Sequence, residues 1–172
     1  MADMANLPDV ESAWKEILAE TGLNDPINRK SPGDVPNDEK SYLIPVTYMN
    51  SSADLKDFVG RHGGIVCTSS NATGILNWAF ERAGPEGAVL FFPDQHLGRN
   101  TGLSMGISED KMPTWVPKIG SDKALTGAKI ILWHGFCSVH KRFTVEQVNL
   151  FREKYPDGLV VVHPECPKET VE

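Results

Sequence analysis

The chain has 172 residues, 40% of them hydrophobic, which is enough for one ordinary domain with a real core, or for one domain and part of another. Its net charge of −6 at pH 7 comes without a basic stripe, so nucleic acid or an anionic membrane is a poor main partner. The sequence has no apolar stretch near the roughly 20 residues of a membrane helix, and its first residues lack the character of a signal peptide. We therefore expect a small acidic metabolic protein in the cytoplasm.

The first part of the chain predicts a helix, a loop and a strand. Apolar side chains between Val10 and Leu18 share one helical face, and Gly22 is a plausible end for that helix. The segment 24–40 is rich in Pro, Asn, Asp and Gly, which predicts an exposed loop. A buried strand is expected at residues 43–47, where the apolar run is continuous.

From that strand onward, strands alternate with helices. Ser51 and Asp54 resemble a capping pair for a short helix, and residues 98–124 are expected to be irregular, with at most one short helix. The other predicted elements are strands at 65–67, 88–92, 129–133 and 159–162, and helices that end near Gly84 and begin near Thr144. Elements that alternate at this spacing predict an α/β fold with a parallel, doubly wound sheet.

Five short polar signatures each follow one of the apolar runs. They are Tyr48-Met49-Asn50, Cys67-Thr68-Ser69-Ser70-Asn71, Pro93-Asp94-Gln95-His96, the segment from His134 to His140, and His163-Pro164-Glu165-Cys166. Open α/β sheets bind ligands beyond the carboxyl ends of their strands, so all five signatures are expected to line one edge of the sheet. That edge is the candidate active site.

The signature that begins at Cys67 lies where a strand ends and a helix begins. Free backbone amides and hydroxyl groups at such a point could bind a carboxylate or a phosphate. The alternative is an ordinary helix cap, with Cys67 as a small buried apolar residue. For Tyr48 and Asn50 the choice is likewise between ligand contacts and strand-end packing or turn capping.

Histidines and cysteines at a spacing of three suggest a metal site. The candidates are His134, Cys137, His140, His163 and Cys166. Zinc uses such residues, although neither half contains the Cys-x-x-Cys pair of the strong zinc motifs. An iron–sulfur cluster would need thiolates from several places. From the residues alone, zinc, an iron–sulfur cluster and no metal all stay open.

Two further signatures carry acid–base candidates. His163-Pro164-Glu165 could act as an acid and a base or hold a carboxylated substrate, but it could also be a surface turn with an exposed glutamate. Asp94-Gln95-His96 could be a small catalytic pair. A structural role is favoured there, in which Asp94 and His96 bond to the backbone near the sheet edge.

Taken in order, the five signatures closely resemble the quinolinate synthase family, and the resemblance covers almost the whole chain except segment 24–40. It implies that the protein condenses iminoaspartate with dihydroxyacetone phosphate to make quinolinate for NAD biosynthesis. It also implies three similar α/β/α units, each with a parallel sheet, around a pseudo-threefold axis. One [4Fe–4S] cluster would lie where the units meet, with one cysteine from each unit and one iron that acts as a Lewis acid on the substrate.

The resemblance also implies a role for individual residues. Cys137 matches the cluster cysteine of the middle unit, whereas Cys67 and Cys166 match cysteines that do not bind the cluster. Glu165 is a candidate proton carrier, and His140 belongs to the cluster-cysteine motif and would lie near the site as a second catalytic candidate. The substrate-binding candidates are Tyr48, Met49, Asn50, Ser69, His163, Pro164 and Glu165.

Residues 1–137 match the middle unit, and residues 138–172 match the first helix and strand of the following one. A weak internal repeat agrees with this division, because the first helix and strand lead to Tyr48 much as the last helix and strand lead to His163. The first unit and most of the third are missing from the match. We therefore expect the chain alone to be inactive and to need other chains for the missing units. The alternative is a stand-alone metal- or anion-binding module without catalysis.

Overall fold

A six-stranded sheet forms the centre of the molecule. The computed structural model describes residues 4–29, 34–35 and 39–172. The strands are β1 (Leu43–Tyr48), β2 (Ile65–Cys67), β3 (Ala88–Phe92), β4 (Thr114–Val116), β5 (Gly120–Ser121) and β6 (Ile130–Trp133), in the spatial order β2-β1-β3-β6-β4-β5. Neighbouring strands are parallel except for β5, which runs antiparallel to β4 at the edge.

Helices cover both faces of this sheet. They are α1 (Leu7–Thr21), α2 (Ala53–Arg61), α3 (Ala72–Ala83), α4 (Gln95–Ser104), α5 (Val145–Lys154) and α6 (Lys168–Val171). Successive strand residues point to opposite faces. Leu90 therefore packs in one core with residues of α1 and α2, and Phe91 packs in the other with residues of α3 and α4. This arrangement confirms the predicted α/β/α layers.

The side on which successive strands are added to the sheet changes at β1. From β1 the chain passes through α2 to β2 on one side, and then returns through α3 to β3 on the other side of β1. The loops that leave the carboxyl ends of β1 and β3 consequently diverge, which opens a crevice between them. In sheets of this kind that crevice is where ligands bind.

The first helix agrees closely with the sequence prediction. Asn6 begins α1 by accepting a hydrogen bond from the Asp9 N–H, and Gly22 ends it with φ 70° while its N–H donates to the Leu18 carbonyl. A left-handed residue at this position favours glycine, so the predicted end is confirmed. Part of the predicted loop at 24–40 is a 3₁₀ turn at Pro26–Asn28, and residues 30–33 and 36–38 lie outside the described residues.

Two local predictions are wrong in detail. Ser52, and not Ser51, is the residue before α2, and its hydroxyl donates to the Asp54 carboxylate instead of capping the helix. The stretch 98–124 is more regular than expected, because α4 occupies its start and β4 and β5 follow. Trp115 explains why β4 forms, since its side chain is buried in the core that contains α1 and α2.

The strand predicted at residues 159–162 does not form. Leu159 and Val161 are 92% and 94% exposed, and no strand of the described residues pairs with this segment. A β-strand is stable only beside a partner that completes its hydrogen bonds, so high β-propensity alone leaves the segment extended and unpaired. The preceding α5 also has no buried residue.

None of the helices in the described residues combines the length and the apolar character that a membrane span requires.

A buried polar network joins α1, the segment after it and α2. Asp25 accepts a hydrogen bond of 2.9 Å from Trp14 Nε1, and its two carboxylate oxygens lie 2.8 and 2.9 Å from His62 Nδ1. The His62 ring packs 4.2 Å from the Phe58 ring. Burial raises the pKa of Asp25, but the hydrogen bonds from His62, the Ile27 N–H and Trp14 outweigh burial and hold it below 3.8.

Asp25→Ala should lower the free energy of unfolding at pH 7 by about 1–3 kcal/mol, because it leaves the buried Trp14 and His62 nitrogens without an acceptor. The folded pKa of Asp25 is depressed, so its contribution is present above the unfolded value and is lost as pH falls through the folded value. Urea unfolding at neutral and acidic pH measures both effects. The control Asp57→Ala removes only an exposed ion pair with Arg61 and should cost less than about 0.5 kcal/mol. Equal losses at pH 7 in the two variants would contradict this assignment.

Candidate active site

At the carboxyl edge of the sheet, β1 and β2 end side by side. Tyr48 and Cys67 are partners in the parallel register, and the Met49 N–H donates to the Cys67 carbonyl at 2.9 Å. Tyr48 is buried, and the Ser69 side chain lies near its phenol. Burial and the nearby Glu165 carboxylate raise the pKa of Tyr48, so its side chain is a neutral hydroxyl at pH 7.

The segment between Cys67 and α3 does not form an ordinary side-chain cap. Asn71 precedes the helix, but its side-chain oxygen accepts from the Thr68 N–H at 2.7 Å and not from the helix. The Thr68 and Ser70 hydroxyls lie 3.0 Å apart and bond to each other. The first amides of α3 are therefore left without a side-chain acceptor from Asn71. Cys67 is fully buried, as expected for a small buried apolar residue.

The Asp94 carboxylate lies at the end of β3 and is completely buried. One of its oxygens accepts from the His96 and Leu97 N–H groups at 2.8 and 3.0 Å, and thereby caps α4. Its other oxygen accepts from the Cys137 N–H at 3.0 Å. The expected backbone-bonding role of Asp94 is confirmed. The His96 side chain departs from that expectation, because its buried Nδ1 has no hydrogen-bond partner within the part of the chain that the structure describes.

The turn His163-Pro164-Glu165-Cys166 folds back over this edge. The Asn100 side-chain amide in α4 donates to the Pro164 carbonyl at 2.8 Å and to the Cys166 carbonyl at 2.9 Å. Glu165, between those two residues, is completely buried. The alternative of a surface turn with an exposed glutamate is therefore wrong.

The Glu165 carboxylate has acidic and imidazole neighbours but no hydrogen-bond donor among the described residues. His140 Nδ1 lies 2.8 Å from Glu165 Oε2, although the angles are not those of a hydrogen bond, and His163 Nδ1 lies 3.8 Å away. The two imidazole rings stack with centroids 4.5 Å apart. Burial, and next the charge of Asp94, raise the pKa of Glu165 to about 7. Burial lowers the pKa of His140, with a further contribution from His163.

The three cysteines differ in their surroundings. Cys67 is fully buried, and burial raises the pKa of its thiol to about 12. Cys166 is 2% exposed, and burial raises its pKa as well. Cys137 is partly exposed at the sheet edge, in the loop that Asp94 holds. Since a metal ligand must be a thiolate that the metal can reach, Cys137 is the best-suited ligand of the three.

Cys137, His140 and Glu165 form the group that could hold a metal. Their ligand atoms all lie within 4.8 Å of one another. The Glu165 oxygens and His140 Nδ1 have no hydrogen-bond partner among the described residues, and such atoms suit a metal ligand set because buried polar atoms otherwise find hydrogen bonds. An iron–sulfur cluster takes thiolates, so these residues fit one corner of such a cluster through Cys137. Three mixed ligands would also fit a single zinc ion with one open position.

Most of the site residues that the sequence predicts lie together at the carboxyl edge of the sheet, as expected. Tyr48, Ser69, Cys137, His140 and Glu165 belong to this cluster. Met49 and Asn50 lie at the same edge and are exposed. His134, His163 and Cys166 are outside the group of possible metal ligands, and Cys166 is buried.

Sequence reasoning missed the site role of Asn100. Its side-chain contacts connect residues 64 and 66 positions apart, so no local pattern could reveal them. The link from Asp94 to the Cys137 N–H was missed for the same reason, since 43 positions separate the two residues.

Comparisons with known proteins place the chain in one family. The family described as "Quinolinate synthetase A protein" matches residues 1–172. The chain is 54% identical to the quinolinate synthase of Corynebacterium glutamicum over 100% of this chain and 40% of that protein. It is 48% identical to the Rhodopirellula baltica enzyme and 41% identical to that of Bacillus subtilis, covering 98% and 99% of this chain and 39% and 42% of those proteins. The chain thus spans about 40% of the length of these relatives, and it belongs to the quinolinate synthetase A family.

Proposed function

We propose that this chain supplies one α/β/α unit of a quinolinate synthase, the enzyme that condenses iminoaspartate with dihydroxyacetone phosphate to quinolinate in NAD biosynthesis. The observation that carries the proposal is the buried, unpartnered Glu165 carboxylate beside His140 and Cys137, at the edge where Tyr48 and Ser69 meet. A buried carboxylate without donors is unfavourable for folding, and such a group is expected at a functional site.

Glu165 and His140 are the proposed catalytic residues. A carboxyl group with a pKa near 7 can accept and release a proton at neutral pH, which is what a condensation followed by loss of water requires. His140 has a lowered pKa and is neutral at pH 7, and its Nδ1 lies 2.8 Å from Glu165 Oε2. The pair thus places a carboxyl group and an imidazole nitrogen at adjacent positions of the proposed site.

The proposed substrate-binding residues surround this pair. The Tyr48 and Ser69 hydroxyls can donate to carboxylate or phosphate oxygens, and the first amides of α3 offer further donors. Met49 and Asn50 are exposed at the same edge of the sheet. The turn His163-Pro164-Glu165 supplies the remaining proposed substrate-binding residues.

A [4Fe–4S] cluster is the proposed cofactor, with Cys137 as the ligand from this unit. When bound, its open iron would supply a Lewis acid to polarise the substrate. The role of the protein is to hold the Cys137 loop through Asp94 and to present the thiol at a partly exposed position. The other thiolates would come from other units, because Cys67 and Cys166 are buried.

We also propose that residues 1–137 form the middle unit and that residues 138–172 begin the next one. Two observations support this division. The sheet and both of its cores end at Trp133, and α5 contributes no buried residue. Partner segments or chains with the missing units would complete the enzyme. A cytoplasmic location fits the three free cysteines, since a reducing compartment keeps thiols free.

A stand-alone metal-binding module is the second candidate function. It is favoured by the closeness of Cys137, His140 and Glu165, which by themselves offer three ligands to one zinc ion. Metal analysis after anaerobic reconstitution distinguishes the two candidates. Iron with inorganic sulfide favours the synthase, whereas stoichiometric zinc that is lost in His140→Ala favours the module.

Cys137→Ser should abolish cluster binding in a completed enzyme, in which the flanking segments of the Corynebacterium glutamicum relative are fused to this chain. Cys67→Ser and Cys166→Ser should retain most of the cluster, because those thiols are buried and protonated. Iron and sulfide content after anaerobic reconstitution measures the effect. Equal loss of cluster from Cys67→Ser and Cys137→Ser, in proteins that circular dichroism shows to be folded, contradicts the assignment.

Glu165→Gln in the completed enzyme should lower kcat by about 10²-fold or more with little change in KM, because a proton carrier acts mainly in the transition state. The 172-residue chain alone should make no quinolinate. Anaerobic steady-state kinetics, with cluster content checked for each variant, measure both. A near-normal kcat in Glu165→Gln would show that the proton-transfer role is wrong.

Tyr48→Phe in the completed enzyme should raise KM and leave kcat nearly unchanged. The substitution removes a hydroxyl that holds a bound anion equally in the ground state and the transition state. The same kinetic experiment measures it, with Tyr155→Phe as a control because Tyr155 is an exposed residue of the 138–172 segment. An unchanged KM in Tyr48→Phe rules out its substrate contact.

A further inference from the structure

We propose that Asn100 is a positioning residue for Glu165: its side-chain amide holds the backbone on both sides of this glutamate and thereby fixes the carboxylate relative to Cys137. The inference rests on the catalytic role proposed for Glu165. Asn100 itself does not touch that carboxylate. Its contacts are with the carbonyl groups of the preceding and following residues.

The geometry uses the full donor capacity of the Asn100 amide. Its Nδ2 lies 2.8 Å from the Pro164 oxygen and 2.9 Å from the Cys166 oxygen, so each of its two hydrogens has one acceptor. Asparagine is suited to this task because one planar NH₂ group points two donors in divergent directions. Aspartate at position 100 would place a carboxylate against two carbonyl oxygens, and alanine would leave both carbonyls without a donor.

Glu165 needs such external support. Both carboxylate oxygens lack a hydrogen-bond donor among the described residues, so its own side chain does not fix its position. The other hydrogen bonds of the turn are internal, from the Glu165 N–H to His163 Nδ1 and from the Cys166 N–H to the His163 carbonyl. The next links to the rest of the molecule come later in the chain, at Lys168 and Thr170.

Asn100 can provide this support because α4 is packed against the sheet, and its cap residue also holds the Cys137 loop. The N-cap of α4 is Asp94, which accepts from the Cys137 N–H. The buried face of the helix carries Leu97 and packs closely, since a Cβ at Gly98 would lie 2.7 Å from a Leu132 methyl group. The N-cap of α4 therefore holds the loop that carries Cys137, and Asn100, six residues later, holds the turn that carries Glu165.

The first experiment measures thiol alkylation in the 172-residue chain, with each cysteine quantified by mass spectrometry. Cys166 reports on the turn, and Cys67 reports on global unfolding because it is buried in the sheet core. In Asn100→Ala and Asn100→Asp, the alkylation rate of Cys166 should rise by at least about 10-fold while that of Cys67 stays unchanged, since loss of two hydrogen bonds opens the turn locally. The matched control Asn77→Ala, at an exposed position of α3, should change neither rate.

Two results of this experiment would overturn the proposal. The first is an unchanged Cys166 rate in both Asn100 variants, which would mean that the turn does not depend on the amide. The second is a parallel rise of Cys67 and Cys166, which would mean that Asn100 supports the whole fold and has no specific effect on the turn.

The second experiment uses the completed enzyme and asks whether Asn100 acts through Glu165. Asn100→Ala should lower kcat by about 10-fold or more at nearly constant KM, and it should cause no further loss in a Glu165→Gln background. An equal loss in both backgrounds would overturn the proposal. If Glu165→Gln alone leaves kcat normal, the proposed function of Glu165 fails, and the alkylation rates still decide whether Asn100 positions the turn.

Discussion

At the carboxyl edge of the sheet, the buried Asp94 carboxylate accepts backbone N–H groups from His96, Leu97 and Cys137. Burial of a carboxylate is costly unless hydrogen bonds replace its water, and three backbone donors do so here. The same three bonds join the end of β3, the start of α4 and the loop after β6. The position of Cys137, and of the helix that carries Asn100, follows from this one interaction.

The same carboxylate shapes the chemistry of its neighbour. Burial raises the pKa of both Asp94 and Glu165, and the charges of the two groups oppose each other. Three donors stabilise the ionised form of Asp94, whereas Glu165 has none. A proton is therefore held more favourably on Glu165. Two carboxyl groups in different surroundings thus differ in how firmly they hold a proton, which is the basis of the proton-transfer role proposed for Glu165.

The sequence predicted elements that depend on neighbouring residues better than it predicted elements that depend on contacts between residues far apart in the chain. Gly22 and the strands 65–67 and 88–92 were predicted correctly, because caps and apolar runs are local signals. The short strands β4 and β5 were missed, since β4 forms only beside β6 and β5 forms only beside β4. The segment 159–162 was predicted as a strand from its composition, but strand formation also needs a partner. For Glu165 an exposed surface turn was the favoured interpretation, and it is wrong because the turn is held against α4 by the distant Asn100 and Glu165 is completely buried.

The position of Glu165 late in the chain separates folding from assembly of the site. Among the described residues, neither core contains one after Trp133, so the packing of the sheet does not use the turn that carries Glu165. That turn is joined to the sheet layer through the Asn100 hydrogen bonds, which span 64 and 66 positions. Circular dichroism or a melting curve reports mainly on the sheet and its helices and not on the position of this turn. A folded sheet is consequently not by itself evidence of an assembled site.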